Sequence, residues 1–148
     1  MRRLFIMRKD LNMSAGKLAA QVGHCVEAYW MSIIKEKVAG EVLGKDVYRT
    51  ECINIPKDIY EEYIKGPFIK TVCAAKNRNH LLKAVEKAKE LKLEEGKDFF
   101  LIKDNCLTEL EPEEIDENGI GRTLTGIGFR PLPDEISREI SKKYQLYN

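Results

Sequence analysis

The sequence contains no long hydrophobic run. No stretch approaches the roughly 20 apolar residues that a membrane-spanning helix requires. Arg2 and Arg3 precede an apolar run, but that run covers only residues 4–7 and is too short for the core of a signal peptide. We therefore expect no contact with a membrane and a cytoplasmic location.

The pattern of a zinc site or of a disulfide framework is also absent. Only two histidines occur, His24 and His80, and they are far apart in the chain. The four cysteines form no Cys-x-x-Cys pair, and each lies among apolar neighbours, as a small buried hydrophobe would; they are Cys25, Cys52, Cys73 and Cys106. We expect no bound metal, because no cluster of ligands has the required spacing.

Motifs for nucleotide cofactors are missing as well. Neither Gly-x-Gly-x-x-Gly nor a phosphate-binding Gly-x-x-x-x-Gly-Lys-Ser/Thr loop occurs, and the Gly-x-Ser-x-Gly of serine hydrolases is absent. The formal net charge is only +1, so no global basic field indicates a nucleic-acid partner. A local basic cluster is present in the first seventeen residues: Arg2, Arg3, Arg8, Lys9 and Lys17. We expect no cofactor.

What the sequence does contain is an alternation of strand-like and helix-like segments. Apolar or alternating runs predict strands at residues 4–7, 50–55, 68–75, 98–103 and 122–128. Amphipathic periodicity and capping residues predict helices at residues 14–37, 56–64, 79–95 and from 134 onward. Residues 39–49 are expected to form a loop, and residues 109–121 an exposed acidic excursion. The 148 residues thus predict one α/β domain, residues 1–148, with three α/β/α layers and a mixed sheet.

The first long helix begins with an unusual set of polar side chains. Lys17, Gln21 and His24 are four and three residues apart, so they lie on one side of the helix. A lysine, an amide and an imidazole near the free N–H groups of a helix start favour binding of an oxyanion or a phosphate. The alternative is that these residues are simply the solvated face of an amphipathic helix.

A carboxylate ends a distant strand. Asp104 follows the apolar run of residues 98–103, and Thr108 lies four residues further on. A carboxylate in this position can orient or deprotonate a water molecule; alternatively, it is a turn residue that binds its own backbone. The loop before Lys17 and the loop after Asp104 leave strands at the edge of an α/β sheet where ligands bind, so both are candidate site segments.

Five segments together resemble the type 2 peptidyl-tRNA hydrolase family over nearly the whole chain. They are residues 8–13, residues 16–21 with the sequence Gly-Lys-Leu-Ala-Ala-Gln, His24, Asp104-x-x-x-Thr108 and residues 123–128. The resemblance implies a mixed, mostly four-stranded sheet. It also implies hydrolysis of the ester between a peptide and the 3′ end of tRNA, without a metal or cofactor.

By motif, the resemblance assigns functional roles to Lys17, Asp104, Thr108 and Thr123, with Gln21 one helical turn after the lysine. We expect the first four to act in catalysis. Gln21, His24, Arg8 and Lys9 are expected to bind substrate, with Lys76 and Arg78 as further contacts to tRNA phosphates.

The sequence also departs from the family pattern. Asp104-Asn105-Cys106 stands where the family has Asp-Ala-Gly, and residues 115–121 and much of the span 40–66 are additional. These differences leave two alternatives open. One is a catalytically weak relative that binds tRNA or a protein, and the other is an enzyme acting on aminoacyl rather than peptidyl esters. A homodimer is a further possibility, with Tyr144, Leu146 and Tyr147 as interface residues.

Overall fold

The computed structural model describes residues 1–36, 38–43, 47–50 and 52–148. Its helices are α1 (Ala15–Glu36), a π-helical turn (Ile59–Ile64), α2 (Arg78–Glu90) and α3 (Asp134–Ser141). Its strands are β1 (Arg3–Arg8), β2 (Val38–Leu43), β3 (Val47–Thr50), β4 (Lys70–Ala75), β5 (Phe99–Asp104), β6 (Glu114–Ile115), β7 (Gly121–Phe129) and β8 (Gln145–Leu146).

The main sheet is mixed and has the strand order β5-β7-β1-β4-β8, with β6 added to β7. β1 runs parallel to β4 and antiparallel to β7, and β5 is also antiparallel to β7. The carboxyl ends of β1 and β5 therefore lie at the same edge of the sheet. Six strands replace the expected four, because β6 and β8 are only two residues long and leave no periodic signal in the sequence.

Helices cover both faces of this sheet. In β1, the side chains of Leu4 and Ile6 pack in the core that α2 and α3 share, whereas Phe5 and Met7 pack with Cys25 of α1. Neighbouring residues of a strand point to opposite faces, so α1 lies on one face and α2 with α3 on the other. The predicted α/β class, with three layers and a mixed sheet, is confirmed, and residues 4–7 of β1 are completely buried.

Two predictions in the middle of the chain are wrong. The expected loop at 39–49 contains β2 and β3, which pair as an antiparallel hairpin; residues 44–46 lie outside the described part. The expected strand at 50–55 ends with β3 at Thr50, and residues 52–56 have no regular structure and are exposed. An alternating pattern forms a strand only where a neighbouring strand pairs with it or its apolar side chains pack against a core.

Smaller corrections concern caps, cysteines and the acidic excursion. Asn77, rather than Asn79, caps α2, since its side-chain oxygen accepts a hydrogen bond from the amide of His80 at 2.9 Å. Cys52 is exposed and Cys106 is half-buried, so only Cys25 and Cys73 are the buried hydrophobes expected of all four. The excursion contains β6, and three of its carboxylates form ion pairs: Glu113, Glu114 and Asp116.

Candidate active site

Lys17 is held at the start of α1. The loop after β1 leads to Ser14, whose hydroxyl oxygen accepts a hydrogen bond from the amide of Lys17 at 3.2 Å and so caps the helix. The lysine side chain is only 13% exposed. Its ammonium group therefore lies close to protein atoms rather than in bulk water.

Asp104 meets Lys17 from the end of β5. Lys17 Nζ lies 2.7 Å from Asp104 Oδ1 and 3.2 Å from Thr108 Oγ1. Gln21 Nε2 donates to the same carboxylate oxygen at 3.0 Å. Four of the residues singled out in the sequence thus converge at one point, although 87 positions separate the lysine from the carboxylate.

The other carboxylate oxygen is bound by the chain itself. The amide of Cys106 donates to Asp104 Oδ2 at 2.9 Å, and Cys106 adopts φ +57°, a left-handed conformation in which the chain turns back on the carboxylate. Burial opposes ionisation of Asp104. The hydrogen bonds from Lys17 and Cys106, and the charge of Lys17, outweigh burial and hold the pKa of this carboxyl below its ordinary value. Asp104 is therefore ionised at neutral pH.

Gln21 is buried behind this carboxylate and contacts a residue that the sequence did not single out. Its side-chain oxygen accepts a hydrogen bond from Thr125 Oγ1 at 2.7 Å, and both residues are at most 1% exposed. This bond fixes the orientation of the amide, so that its nitrogen faces Asp104. In the sequence, Thr125 was one of two threonines in a strand that also contains Arg122, apolar residues and glycines.

Glu109 fixes the loop that carries Thr108, and it was also missed from the sequence. Its carboxylate accepts hydrogen bonds from the amide of Ser14 at 2.9 Å and from the Ser14 hydroxyl at 2.5 Å. A carboxylate at the start of a helix interacts favourably with the helix dipole. The loop after β5 is thereby tied to the end of α1 from which Lys17 projects.

His24 and Thr123 lie beside this cluster. His24 is exposed and, together with residues of β5 and Asn105, lines a cleft of about 430 Å³ that includes Asp104. Thr123 is fully buried; its hydroxyl donates to the carbonyl of Glu111 and accepts from the amide of Glu113 at 3.2 Å. The Cys106 thiol lies 3.3 Å from this hydroxyl. Thr123 thus joins the acidic excursion to the chain beside Asp104.

Arg8, the last residue of β1, and Lys9, which follows it, differ in their surroundings. Arg8 is 5% exposed, and its guanidinium binds the carboxylates of Asp10 and Glu113 and the carbonyl of Leu124. Lys9 is exposed, and its ammonium group contacts only the side-chain oxygen of Asn148, at 3.0 Å, among the described residues. Lys9 is therefore the more available of the two for an external phosphate.

Two further findings concern metals and membranes. In the ranges that the structure describes, no group of three or more histidine, cysteine, aspartate or glutamate side chains is arranged to hold a metal ion. No helix within those ranges combines the length and apolar character needed to cross a membrane.

The fold and this cluster define an α/β protein whose site pairs a lysine with a carboxylate at the carboxyl ends of its strands, an arrangement suited to attack on an acyl group. Comparison with known proteins identifies a family within this class. A family model described as "Peptidyl-tRNA hydrolase PTH2" matches residues 1–147, so the chain belongs to this family. The resemblance stated from the sequence is confirmed.

Two relatives are named "Peptidyl-tRNA hydrolase". The one from Methanopyrus kandleri is 32% identical over 120 residues, which are 81% of this chain and 83% of that protein. The one from Sulfolobus acidocaldarius is 30% identical over 146 residues, 99% of both chains. A solved structure of a protein of unknown function from Agrobacterium tumefaciens matches with a TM-score of 0.52 and 12% identity, covering 99% of this chain and 97% of that one. This last likeness shows the fold alone.

Proposed function

We propose that this protein hydrolyses the ester bond that joins a peptide, or an N-blocked amino acid, to tRNA, and thereby releases free tRNA. Membership of the PTH2 family supports this reaction. The observation that carries the proposal is the contact of Lys17 Nζ with Asp104 Oδ1 at 2.7 Å and with Thr108 Oγ1 at 3.2 Å. These three groups provide a cation, an anion and a hydroxyl around a space where one ester carbonyl can lie.

In the proposed reaction, a water molecule adds to the ester carbonyl carbon and the bond to the ribose oxygen then breaks. An ammonium group has three N–H donors; Asp104 and Thr108 take two of those of Lys17, which leaves one for the developing oxyanion or the departing ribose oxygen. Asp104 and Thr108 bind the attacking water. One proton of that water passes to the ribose oxygen, and its hydroxyl completes the carboxyl group of the peptide.

The low pKa of Asp104 favours one of the two roles expected of it. A general base is most effective when its pKa lies near the working pH, whereas the pKa of Asp104 is below even the ordinary carboxyl value. We therefore assign to Asp104 the orientation of the water and the stabilisation of positive charge that develops on it. Gln21 holds this carboxylate, and we now assign it to positioning rather than to substrate binding.

Two of the other substrate contacts remain as proposed from the sequence. His24 and Lys9 are exposed next to the cluster or at the same edge of the sheet, which supports roles in binding the tRNA end. Arg8 supports the site indirectly in the present arrangement, because its guanidinium holds Glu113 of the acidic excursion. Thr123 lies beside the loop that carries Asp104, and its proposed part in catalysis is exerted from that position.

The test compares purified variants on a defined peptidyl-tRNA. Lys17→Ala and Asp104→Asn should each lower kcat by roughly 100-fold or more, because preorganised charge at an acyl-transfer site is worth about 3–4 kcal/mol. Lys35→Ala, at the exposed far end of the same helix, is the matched control and should keep full activity. Circular dichroism verifies that the variants are folded. Full activity in both site variants would rule the mechanism out.

Two further measurements separate the alternatives. Many turnovers at substoichiometric enzyme distinguish an esterase from a relative that only binds tRNA or a protein. Parallel assays on aminoacyl-tRNA and on its N-acetylated form decide between aminoacyl and peptidyl esters. The proposal includes independence from metals and cofactors: the cation beside Asp104 is Lys17, so a chelator should leave the rate unchanged.

The proposal extends to the setting in which the protein works. We assign it to the cytoplasm, where its tRNA substrate occurs, and treat residues 1–148 as a single domain. A homodimer is included, since Leu146 on the edge strand β8 is 68% exposed. Analytical ultracentrifugation over a range of concentrations tests the dimer, and cooperative unfolding in one transition tests the single domain.

A further inference from the structure

β5 is the strand at one edge of the main sheet, since β7 is the only strand of the described residues that pairs with it along its length. At its start, the amide of Phe99 donates to the carbonyl of Glu94 at 3.3 Å, and the carbonyl of Phe99 accepts from the amide of Gly96 at 2.8 Å. These backbone groups of Phe99 therefore point away from β7 and toward the outer edge of the sheet.

The direction of the following backbone groups can be derived from this starting point. In an antiparallel pair, the backbone groups of successive residues point alternately toward the partner strand and away from it. Phe100 and Ile102, which lie opposite Gly128 and Gly126, face β7. The hydroxyl of Thr125, on β7, lies 3.1 Å from the carbonyl oxygen of Ile102 and agrees with this assignment.

Leu101 and Lys103 consequently present their N–H and C=O groups to the open edge. The register shift between Ile102 and Lys103 leaves the alternation of β5 intact, because the additional residue, Thr125, is on β7. Within residues 1–36, 38–43, 47–50 and 52–148, no hydrogen bond outside the β5–β7 ladder engages these four backbone groups, and the alternation directs them away from that ladder. An exposed strand edge of this kind is a template for pairing with another extended chain.

The open edge leads to Asp104, one of the three groups of the proposed reaction centre. The cleft of about 430 Å³ described above is lined by His24 and by five consecutive residues of β5 and the adjoining loop: Leu101, Ile102, Lys103, Asp104 and Asn105. One end of the edge is therefore Asp104 itself. One end of any chain that pairs with Leu101 and Lys103 therefore lies near the Asp104 carboxylate, which is proposed to orient the attacking water.

From this continuity, and on the basis of the function proposed above, we propose that the peptide part of the substrate binds as an additional strand on the open edge of β5. Its C-terminal ester carbonyl lies at Asp104, and the peptide extends back toward Phe99. The peptide then runs parallel to β5. The protein already uses this geometry, because Glu95 pairs with Phe99 in a parallel bridge.

The same bridge sets the length of the subsite. Residues 94–96 occupy the edge at Phe99, so the peptide can pair only along residues 101–104. At a rise of about 3.3 Å per residue, this is room for roughly three peptide residues. Recognition through the main chain needs no particular side chain, which suits an enzyme that must accept peptides of any sequence.

The first test varies the substrate rather than the protein. Acetylated alanine peptides of one to five residues, esterified to the same tRNA, should show kcat/KM rising up to about three residues and then constant. Methylation of a single peptide nitrogen should lower kcat/KM by about fivefold at alternate residues, where the N–H faces β5, and leave it unchanged at the residues between. A contact through side chains alone would not produce this alternation.

The second test removes one edge donor from the protein. Leu101→Pro deletes an N–H that faces the open edge, a position at which a strand tolerates proline, and Leu101→Ala is the control for the lost side chain. The ratio of kcat/KM for the three-residue substrate to that for acetyl-alanyl-tRNA should be about fivefold lower in the proline variant than in the alanine variant.

The outcomes are distinguishable. Hydrolysis of all peptide lengths at equal kcat/KM, or a methylation effect without alternation, would overturn this inference and leave the proposed function standing. Failure to hydrolyse any of the esters would overturn the proposed function and this inference with it. A concentration-dependent dimer that Leu101→Pro dissociates would show that a second copy occupies the edge, which also overturns the inference.

Discussion

The Lys17–Asp104 pair combines two charges that are each about nine-tenths shielded from water. Such a pair gains little net stability, because the cost of removing both charges from water offsets their attraction, and removal of one partner leaves the other charge uncompensated. Three donors satisfy Asp104, namely Lys17, Gln21 and the amide of Cys106. We infer that this arrangement is retained for the chemistry it makes available rather than for stability.

Loss of the Lys17 charge should be visible in the titration of Asp104. Burial alone raises the pKa of a carboxyl, and the lysine is the main group that lowers it here. In Lys17→Gln, the pKa of Asp104 should therefore rise relative to the wild type, as measured by carbon-13 NMR of the carboxyl group. Lys35→Gln is the control. An unchanged pKa in Lys17→Gln would mean that the backbone amide and Gln21 dominate.

Because the pKa of Asp104 is lower in the folded protein, the free energy of unfolding depends on pH. A carboxyl whose pKa is lower in the folded state contributes stability above its unfolded pKa and loses it as the pH falls through the folded value. With an ordinary pKa of 3.8, the contribution of Asp104 is fully present at neutral pH and disappears only in more acidic solution. In Lys17→Gln this contribution shrinks, so the free energy of unfolding of the variant should depend less on pH in acidic solution than that of the wild type.

Substitution of Thr125 tests whether Gln21 acts by positioning the Asp104 carboxylate. Thr125→Val keeps the shape of the side chain and removes the hydroxyl that holds Gln21 Oε1 at 2.7 Å. The amide of Gln21 can then rotate away from Asp104, so kcat should fall by about three- to tenfold, equivalent to one lost hydrogen bond, with little change in KM. Steady-state kinetics measure both constants.

Two controls accompany this variant. Thr125→Ser restores a hydroxyl and should recover most of the loss in kcat. Thr71→Val, on half-buried β4, makes the same chemical change away from Gln21 and should leave kcat unaltered. An equal fall in activity for the serine and valine variants would assign Thr125 to packing alone.

At the scale of the elements, the distance between α1 and β7 sets the geometry of the site. α1 carries Lys17 and Gln21, while β7 carries Thr125 and supports Asp104 through the pairing with β5. The helix approaches β7 closely at Gly128: a Cβ atom there would lie 2.7 Å from Cys25 Cβ and 3.1 Å from its backbone. Only a glycine permits this approach.

Gly128→Ala should therefore separate the helix from the strand. Overpacking of a close contact costs about 1–3 kcal/mol in the free energy of unfolding, and the shift of α1 should also lower kcat. Gly23→Ala is the control within the same helix, because nothing lies within 4 Å of its added Cβ. It should raise stability by about 0.5–1 kcal/mol. Urea unfolding of both variants checks the opposite signs, and a stable Gly128→Ala would contradict the packing argument.

The elements also show which features a sequence pattern can predict. The apolar runs of β1 and β5 and the helical spacing of Lys17 and Gln21 are local properties, and they predicted both the layers and the edge at which Asp104 meets Lys17. β6 and β8, by contrast, are strands only because two residues of each pair with a neighbouring strand. No local periodicity encodes such a pairing.

The missed parts of the site have the same physical origin. The contact of Thr125 with Gln21 spans 104 positions, and that of Glu109 with Ser14 spans 95. A threonine in a strand and a glutamate in a loop are ordinary locally, and their roles arise only from the residues that the fold brings next to them. The lysine and the aspartate could be predicted because a family motif contains them.

At the scale of the whole molecule, the net charge is small, and the position of the charged side chains matters more than their sum. The formal net charge is +1, and three of the six carboxylates of the acidic excursion form ion pairs with Arg8, Lys103 and Arg122. Lys9 and Lys76 directly follow the parallel strands β1 and β4 at the edge where α1 begins. Both are exposed.

These two lysines should account for part of the salt dependence of tRNA binding. Each lysine that contacts a phosphate adds about one to the slope of log affinity against log salt concentration. The double variant Lys9→Ala, Lys76→Ala should therefore reduce that slope by about two, measured by fluorescence titration with deacylated tRNA from low to moderate salt. Lys89→Ala with Lys97→Ala removes the same charge near the opposite end of the sheet, where α2 ends and β5 begins. This control should keep the wild-type slope, and equal slopes for the two double variants would show that tRNA binds elsewhere on the protein.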